Sequence, residues 1–336
     1  MTNIYILDKK SVATPYFHRY LLDIQQEVAR NSVVTLSYIG ALGRNGGYLY
    51  DANVPAYRTG WPDFNTFNAA RPINSGRFGD IYVERPGLNS NYNAGIVKFE
   101  RRMTSGLQIL THYTFAKTIS DTGQTGQQTG LGYRYPQSVI RSRGEANLSH
   151  RHRFLFETNY EPKYSQHLPA YLRPALGDWH ISAVATLESG DALPVTDQNN
   201  TAQDNAGPFC PFFLGCGSGT VNMLRNPNFA HSKRSFAEYF DVNAFAEPPL
   251  GVRGTASPGI VRGPGQNNWD ISFGKTLNFT ERLHAEIRAD MFNAFNHTQW
   301  TSVDTVLNDT VSGDQFGQVT GGREGRIIQL GAKLVF

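Results

Sequence analysis

The chain has 336 residues, which is enough for one large domain or two ordinary ones. Charged residues make up 18% of it, and the net charge of +3 is too small to indicate a nucleic-acid partner. No apolar run approaches the roughly 18 residues of a membrane-spanning helix, which excludes a helical membrane protein. A membrane β-barrel stays open as an interpretation, because every second residue of its strands faces a polar lumen.

The first residues, MTNIYILDKKSVATPYF, contain no basic segment followed by an apolar core. They therefore lack the pattern of a secretory signal peptide. We interpret residues 1–17 as the remnant of a preceding extracellular loop. An export signal and further N-terminal parts are expected to lie upstream of them.

From Arg19 onward, apolar and polar residues alternate along nine separate segments. Successive side chains of a strand point to opposite sides, so each segment predicts a strand with one apolar and one polar face. The predicted strands are Arg19–Val28, Ser32–Gly40, Tyr92–Met103, Leu107–Lys117, His150–Glu161, Asp178–Ser189, Asn267–Phe279, Arg282–Asn293 and Gly325–Phe336.

The connections between these strands are short and long in turn. The long ones, which we predict to be extracellular loops, are 41–91, 118–149, 190–266 and 294–324. Compact soluble domains seldom repeat loops above about 15 residues, whereas membrane barrels combine short periplasmic turns with long extracellular loops. The sequence therefore predicts an all-β protein in which residues 18–336 form part of an antiparallel transmembrane β-barrel.

The last strand shows the alternation most clearly and runs to the final residue. Its predicted membrane-facing side chains are Ile328, Leu330, Ala332, Leu334 and Phe336. If Phe336 lies at the periplasmic side, nine strands make the chain start outside the cell. Single-chain bacterial barrels have an even number of strands, so we expect an incomplete barrel, the C-terminal part of a larger one.

Two cysteines, Cys210 and Cys216, lie in the Gly/Pro-rich stretch GPFCPFFLGCGSG. They could close a small loop disulfide in an oxidising compartment, or remain two free thiols. Export would favour the disulfide. Without a nearby histidine or a second cysteine pair, the two thiols do not predict a zinc site.

Several stretches resemble a known family: NYNAGIVKFERRMTSGLQILTHYTFAKTISD, RHRFLFETNYEP, GDWHISAVATLESGDALPVT, IVRGPGQNNWDISFGKTLNFTERLHAEIRADMFNAFNHTQW and GRIIQLGAKLVF. They look like the C-terminal barrel of TonB-dependent outer-membrane receptors. Within these, the chain is most similar to the Oar-like group, which carries an N-terminal carboxypeptidase-regulatory-like domain. The most specific part is Arg262–Phe295, with RGPG, NNWD and FNAFNH.

This resemblance implies uptake of a scarce solute across the bacterial outer membrane, powered through the TonB complex. The implied partners are outer-membrane lipid, the barrel-assembly machinery acting on the C-terminal strand, and the TonB complex acting through N-terminal parts. No residues here match the family's plug domain or its TonB-contacting segment. The ligand, a small molecule or an oligosaccharide, is not identified by the sequence.

No segment predicts a catalytic residue, a cofactor site or a metal site, and we expect no enzyme activity. The Gly-rich run GQTGQQTGLG lacks the GK[ST] ending of a phosphate loop. His150 and His152 share a strand face without an identifiable third ligand. Glu286 and Asp290 lie on the inferred lumenal face, where a hydrated or salt-bridged lumen is the default alternative to a catalytic pair.

Two other functions fit the alternation: a passive porin or surface adhesin barrel without a plug, and a soluble β-sandwich that binds carbohydrate. Aromatic residues of the first long loop can stack on sugars or simply pack the loop together. They are Tyr48, Tyr50, Tyr57, Trp61, Phe64 and Phe67. The strand lengths, the alternating loop lengths and the terminal Phe336 favour the membrane barrel.

Overall fold

A computed structural model describes residues 2–7, 13–55, 64–73, 76–121, 132–133, 143–147, 149–162, 169, 171–197, 219–248, 254–280, 282–308, 313 and 315–336. Strands dominate these ranges. Their helical parts are α1 (Phe64–Ala69), α2 (Arg173–Leu176) and two 3-10 turns at His231–Lys233 and Val242–Ala244. No helix in the described ranges has the length and apolar character needed to cross a membrane.

The described strands, in chain order, are β1 (Thr2–Leu7), β2 (Tyr16–Ala29), β3 (Ser32–Asp51), β4 (Phe78–Thr104), β5 (Leu107–Ser120), β6 (Gly132–Tyr133), β7 (Gly144–Glu145), β8 (His152–Tyr160), β9 (Trp179–Glu188), β10 (Ala192–Leu193), β11 (Thr196–Asp197), β12 (Gly219–Thr220), β13 (Asn222–Met223), β14 (Phe245–Ala246), β15 (Val261–Arg262), β16 (Gln266–Asn278), β17 (His284–Phe292), β18 (Trp300–Val303), β19 (Val306–Leu307), β20 (Val319–Gly322) and β21 (Ile327–Val335).

Nine of these strands form one continuous sheet, which we call the wall. Its order is β2-β3-β4-β5-β8-β9-β16-β17-β21, so every wall strand pairs with its neighbours along the chain. All eight pairings are antiparallel. Each wall strand overlaps one predicted strand, which confirms the predicted all-β, antiparallel architecture.

The register divides the side chains of the wall between two faces. One row across β9, β16, β17 and β21 consists of Ala183, Ile271, Met291 and Ile328. The adjacent row consists of Ser182, Ser272, Asp290 and Gln329. Directly paired residues point to the same side of a sheet, and the next residue along each strand points to the other. The wall therefore has an apolar face and a polar face.

The apolar face is exposed rather than packed against another layer. Leu22 is 63% exposed, Leu330 77% and Leu334 58%. A contiguous exposed apolar surface marks contact with a membrane or with another protein. The wall thus has no core of its own on this side.

β3 and β4 are longer than the alternation predicts. β3 continues to Asp51 and β4 begins at Phe78, whereas the sequence predicts a loop over residues 41–91. The pairing shifts register on either side of Gly46, close to where β3 meets Pro86 of β4. Proline cannot donate a ladder hydrogen bond and is accommodated at such irregularities. The same irregularity breaks the alternation, so the pattern does not reveal this part of the strands.

Residues 1–17 contain more strand than the sequence predicts. β1 runs parallel to the start of β4 and places Tyr5 opposite Tyr82, with ring centroids 5.2 Å apart. β2 begins at Tyr16 rather than at Arg19. β1 has only 6 residues, which is too few for alternation to stand out in the sequence.

Three short connections and one of medium length join the wall strands at the end where Phe336 lies. They are 30–31, 105–106, 161–178 and 279–283. Ser105 and Gly106 adopt φ values of 53° and 80°. Two successive positive φ values are those of a type I′ turn, whose twist matches the twist of the strands it joins. Short and long connections therefore alternate along the wall, as the sequence predicts.

At the opposite end, the described residues of connections 189–265 and 293–326 fold together into a packed unit, which we call the loop layer. Its buried apolar residues are Val195, Val221, Tyr239, Phe240, Ala244, Phe245, Ala256, Val261, Val303 and Val319. β11 of the first connection pairs with β19 of the second. The sequence predicts only loops over 190–266 and 294–324, so the packed core differs from that expectation.

Candidate functional site

The polar face of the wall carries charged side chains in close pairs. Lys98 Nζ lies 2.9 Å from Glu100 Oε2. Arg153 Nε lies 2.7 Å from Glu188 Oε1, and the two residues are directly opposite in the register of β8 and β9. Exposed pairs of this kind contribute little to stability. They do give the polar face a hydrated, charge-balanced surface.

The carboxylate of Asp290, which a catalytic pair on the polar face would need, is held by its neighbours. It accepts hydrogen bonds from Ser272 Oγ at 2.5 Å and from Arg288 Nε at 2.7 Å. Glu286 Oε1 lies 3.9 Å from His284 Nε2. This geometry favours the salt-bridged surface over the catalytic pair.

The last strand presents its predicted membrane-facing residues on the apolar face. Ile328, Leu330, Ala332 and Leu334 pair with Met291, Ala289, Ile287 and Ala285 of β17. Phe336 follows the strand and is 95% exposed. The apolar face of β17 thus continues without interruption onto β21.

Three aromatic side chains on the apolar face have their polar tips satisfied. The Tyr38 hydroxyl donates to Asn93 Oδ1 at 2.8 Å. Trp269 Nε1 donates to Asn267 Oδ1 at 3.0 Å. Trp179 Nε1, near the end where Phe336 lies, donates to a backbone carbonyl at 3.0 Å. Rings with an apolar body and a satisfied polar tip are typical of the boundary between membrane and water.

The two histidines of RHRF are engaged in different contacts. His152 Nδ1 lies 2.6 Å from the Tyr113 hydroxyl. His150 Nδ1 lies 2.7 Å from the carbonyl oxygen of Ser189, and its Nε2 lies 3.4 Å from Asp191 Oδ1. Among the described residues, no group of three or more His, Cys, Asp or Glu side chains is placed to hold a metal ion.

An ionic link joins the loop layer to the wall. The buried Glu145 of β7 accepts hydrogen bonds from Arg151 Nη2 at 2.7 Å and Nε at 3.2 Å, and forms a salt bridge with Arg262 of β15. Burial raises the pKa of Glu145, but the hydrogen bonds from Arg262 and Arg151 outweigh it and hold the pKa below its usual range. β7 pairs with β5 of the wall, so one carboxylate connects two long connections and the sheet.

A second buried cluster organises the connection between β3 and β4. The Arg71 side chain is buried and donates to Asp51 Oδ2 at 3.0 Å and to the Asn53 carbonyl oxygen at 3.0 Å. It also forms a salt bridge with Asp80, whose other carboxylate oxygen accepts from the Tyr82 hydroxyl at 2.8 Å. These contacts hold the end of β3 and the start of β4 together, outside the part of the two strands that carries the apolar face.

Two aromatic residues of the predicted loop 41–91 lie in β3 and pack against β4. Tyr48 and Tyr50 pack on Leu88, and the Arg85 guanidinium carbon lies 4.9 Å from the centroid of the Tyr50 ring. This contact favours loop packing over sugar stacking for these two rings. Outside the described residues lie Tyr57, Trp61, the side chains of Phe64 and Phe67, and both Cys210 and Cys216, for which the sequence leaves a disulfide or two free thiols open.

A small pocket opens beside β2 at the end of the wall with the long connections, lined in part by Phe17 and Leu88. Its two charged side chains are engaged by neighbours. Arg44 Nη1 donates to Asn91 Oδ1 at 3.1 Å, and Asp121 accepts from Arg143 at 2.5 Å and from backbone and side-chain nitrogens of Asn89. Neighbouring residues therefore hold the charged side chains that line this pocket at the edge of the sheet.

The described strands form an open antiparallel sheet with an exposed apolar face and an ion-paired polar face. Tight turns lie at one end of the sheet and long folded connections at the other. Together these features define part of an outer-membrane barrel. The family model described as "Outer membrane beta barrel domain" matches residues 1–329. The chain belongs to this family. The apolar face therefore meets outer-membrane lipid, and the soluble β-sandwich alternative is wrong. In such barrels the short connections are usually periplasmic and the long ones extracellular, which is the orientation we expect for this chain.

Three solved structures are similar at low identity. The outer membrane transporter YddB from Escherichia coli is 10% identical with a TM-score of 0.46, covering 99% of this chain and 34% of that one. P. aeruginosa FpvA bound to a heterologous pyoverdine with iron is 10% identical with a TM-score of 0.41, covering 95% and 27%. The FpvAI–pyocin S2 complex is 10% identical with a TM-score of 0.39, covering 96% and 27%.

The chain therefore spans about a third or less of the length of these solved chains. Among curated proteins, none matches it in sequence.

Sequence reasoning missed the buried charges that hold the long connections. Glu145 and Arg71 lie in stretches with no regular alternation, and Arg262 lies far along the chain from its partner. One signal was present: Glu145 is the only carboxylate in residues 143–151 and stands between Arg143 and Arg151. A lone carboxylate flanked by arginines indicates an ion pair with one of them. It does not indicate which long connection supplies the further arginine.

Proposed function

We propose that the chain forms the C-terminal wall and an extracellular surface of a TonB-dependent receptor of the Oar-like group. Such a receptor takes up a scarce solute across the outer membrane. The TonB complex would act through N-terminal parts of the protein, and the barrel-assembly machinery would act on β21. In this proposal the chain binds and guides a solute and carries out no enzymatic reaction.

The observation that carries this proposal is the folded loop layer. A receptor needs a fixed extracellular surface on which a specific solute can be recognised before transport. Here two long connections share one apolar core around Phe240, and Arg262 ties them to Glu145 beside the wall. The sequence stretches from Arg262 to Phe295, which resemble the Oar-like group most specifically, begin in this layer.

The polar face supports the same proposal. Its charges are balanced in pairs such as Arg153 with Glu188 and Arg288 with Asp290. A lumen of this kind can hold a folded polar domain in a hydrated contact. A receptor barrel would place its plug there.

Ion conductance separates this proposal from its main alternative, a plug-less porin or adhesin barrel. The full-length protein is reconstituted into planar lipid bilayers in potassium chloride, and the steady current is recorded. A plugged receptor is expected to show no stable open channel, and removal of its plug domain is expected to open one. Stable channels in the full-length protein would support the porin.

Contact with TonB gives a second measurement. The purified periplasmic domain of TonB is titrated into the full-length protein in detergent and followed by calorimetry. Binding is expected for a receptor. A barrel that shows no stable channel and does not bind TonB would favour the adhesin, because an adhesin needs neither conductance nor energy coupling.

A further inference from the structure

The connection between β8 and β9, residues 161–178, differs from the other periplasmic connections. The others are tight turns of two to five residues. Its described residues include α2 and two exposed large apolar side chains, since Tyr171 is 80% exposed and Leu176 47%. Backbone hydrogen bonds from Ala175 and Leu176 to the Leu172 carbonyl oxygen, at 3.2 and 2.9 Å, give residues 172–176 a defined shape. Its exposed apolar residues are therefore presented on an ordered turn.

A lysine on the apolar face lies next to this segment. Lys275 pairs with Trp179 of β9 and Ile287 of β17, which places it on the face that meets lipid. Among the apolar-face positions of β9, β16, β17 and β21, all of which the structure describes, it is the only charged residue. A cation on the lipid face of a barrel is unfavourable and costs about 2–4 kcal/mol at the middle of the bilayer, falling towards the interfaces.

The segment itself covers this charge. Lys275 is 7% exposed, and its ammonium group donates to the carbonyl oxygen of Gly177 and to that of Ala175 at 3.4 Å. The ammonium nitrogen also lies 5.1 Å from the centroid of the Trp179 ring, whose Nε1 donates to the Ala175 carbonyl oxygen at 3.0 Å. These contacts hold the end of α2 against the apolar, outer face of the wall. The segment therefore does not extend away from the edge of the sheet at this point.

From this geometry we propose that residues 171–178 form a lipid-binding foot. The foot lies on the outer side of the barrel at the periplasmic leaflet, with Tyr171 and Leu176 inserted among the phospholipids. Its surface is continuous with the apolar face that already meets lipid. Tyrosine and tryptophan at headgroup level, beside a lysine whose charge is satisfied, are the residues expected at this boundary. The inference rests on the orientation of the barrel and does not depend on the transported solute.

Depth-dependent quenching tests the foot. The full-length protein, with Cys210→Ser and Cys216→Ser, receives Leu176→Cys and an environment-sensitive fluorophore in vesicles of phosphatidylethanolamine and phosphatidylglycerol. Nitroxide lipids carry the quencher near the headgroup or near the chain end. Leu330→Cys on the lipid face and Gln329→Cys on the polar face are the matched positive and negative controls.

A label at Leu176 is expected to be quenched about threefold more than one at Gln329, and most strongly by the shallow nitroxide. The label at Leu330 should respond more to the deep nitroxide. Quenching at Leu176 no greater than at Gln329, whether the label is in water or covered by a protein partner, would overturn the proposal.

A second variant tests what holds the foot in place. Lys275→Leu removes the donors to the Gly177 and Ala175 carbonyl oxygens and leaves an apolar side chain that suits the lipid face. Lipid quenching at Leu176 is expected to fall about threefold, to the level of the negative control, while quenching at Leu330 is unchanged. Lys333→Leu, on the polar face of β21, should change neither. Unchanged quenching at Leu176 in Lys275→Leu would overturn the role given to Lys275.

Discussion

The wall and the loop layer contain similar apolar residues but place them in opposite ways. In the wall, Leu330 is 77% exposed and Leu22 63% exposed. In the loop layer, Phe240 is 1% exposed and Val221 and Val261 are fully buried. The wall meets lipid, so its apolar side chains need no cover, whereas the loop layer lies in water and must bury its own.

This difference shows that exposure alone does not measure stability in such a protein. The same substitution should act through different physics in each region. A large-to-small change should matter most in the loop layer, where it leaves a cavity. A change of polarity should matter most on the apolar face, where it places a charge in lipid.

The largest effect is expected for Phe240→Ala. The Phe240 ring packs edge-on against Phe245 and Phe316, so its removal should destabilise the loop layer by about 3–5 kcal/mol. Hydrogen exchange followed by mass spectrometry should show faster exchange across 219–248, with the wall unchanged. Phe236→Ala, at a site 63% exposed, is the control and should have little effect. Equal acceleration in the wall would show that the two regions unfold together.

Leu330→Arg should have the next largest effect, because it places a charge on the lipid-facing side of β21. The expected loss is about 2–4 kcal/mol, measured by guanidinium unfolding of the full-length protein in lipid vesicles. Gln329→Arg, one residue away on the polar face, should change stability by no more than about 0.5 kcal/mol. Similar losses for the two variants would contradict the assignment of the faces.

Acid should loosen the loop layer through Glu145. The folded-state pKa of this carboxyl is below its usual value, so its contribution is present above the unfolded-state pKa and is lost as pH falls through the lower folded value. Glu145→Gln should weaken the layer by about 1–3 kcal/mol at neutral pH. It should also abolish the acid-dependent increase in hydrogen exchange of the loop layer, measured after correction for the intrinsic exchange rate of the amides. Identical acid profiles in both proteins would exclude Glu145 as the cause.

The smallest effect is expected for Tyr38→Phe, which removes one hydroxyl from the apolar face. Its hydrogen bond to Asn93 at 2.8 Å is neutral, so the loss should be about 0.5–1.5 kcal/mol. Guanidinium unfolding in vesicles measures it, with Asn93→Ala as the partner variant. In the double variant the loss from Tyr38→Phe should disappear. An additive result would show that the pair is not coupled.

The wall was predictable because its physics is local. Apolar and polar residues must alternate along each strand when one face meets lipid and the other meets water. Segments such as Leu107–Lys117 can therefore be recognised as strands in the sequence. The upper parts of β3 and β4 were not predictable, since the irregularity near Gly46 and Pro86 interrupts that alternation.

The loop layer was not predictable because its core is made by distant contacts. Its strands are two to four residues long, and Val195 joins Val303 and Val319 in one cluster only after the chain has folded. The same holds for the link between Glu145 and Arg262. The foot on the outside of the wall was missed for a related reason, since Lys275 looks like an interruption of an apolar face until its backbone partners are seen.

The pairing of β11 with β19 has a consequence for the order of folding. Thr196 lies opposite Val306, and the complete hairpin of β16 and β17 separates them along the chain. Neither long connection can bury Phe240 alone, because the core draws residues from both. Both connections must therefore be in place at the same end of the wall before the layer can close. We infer that the shared core of the loop layer is completed only after the strands on either side of both connections have paired.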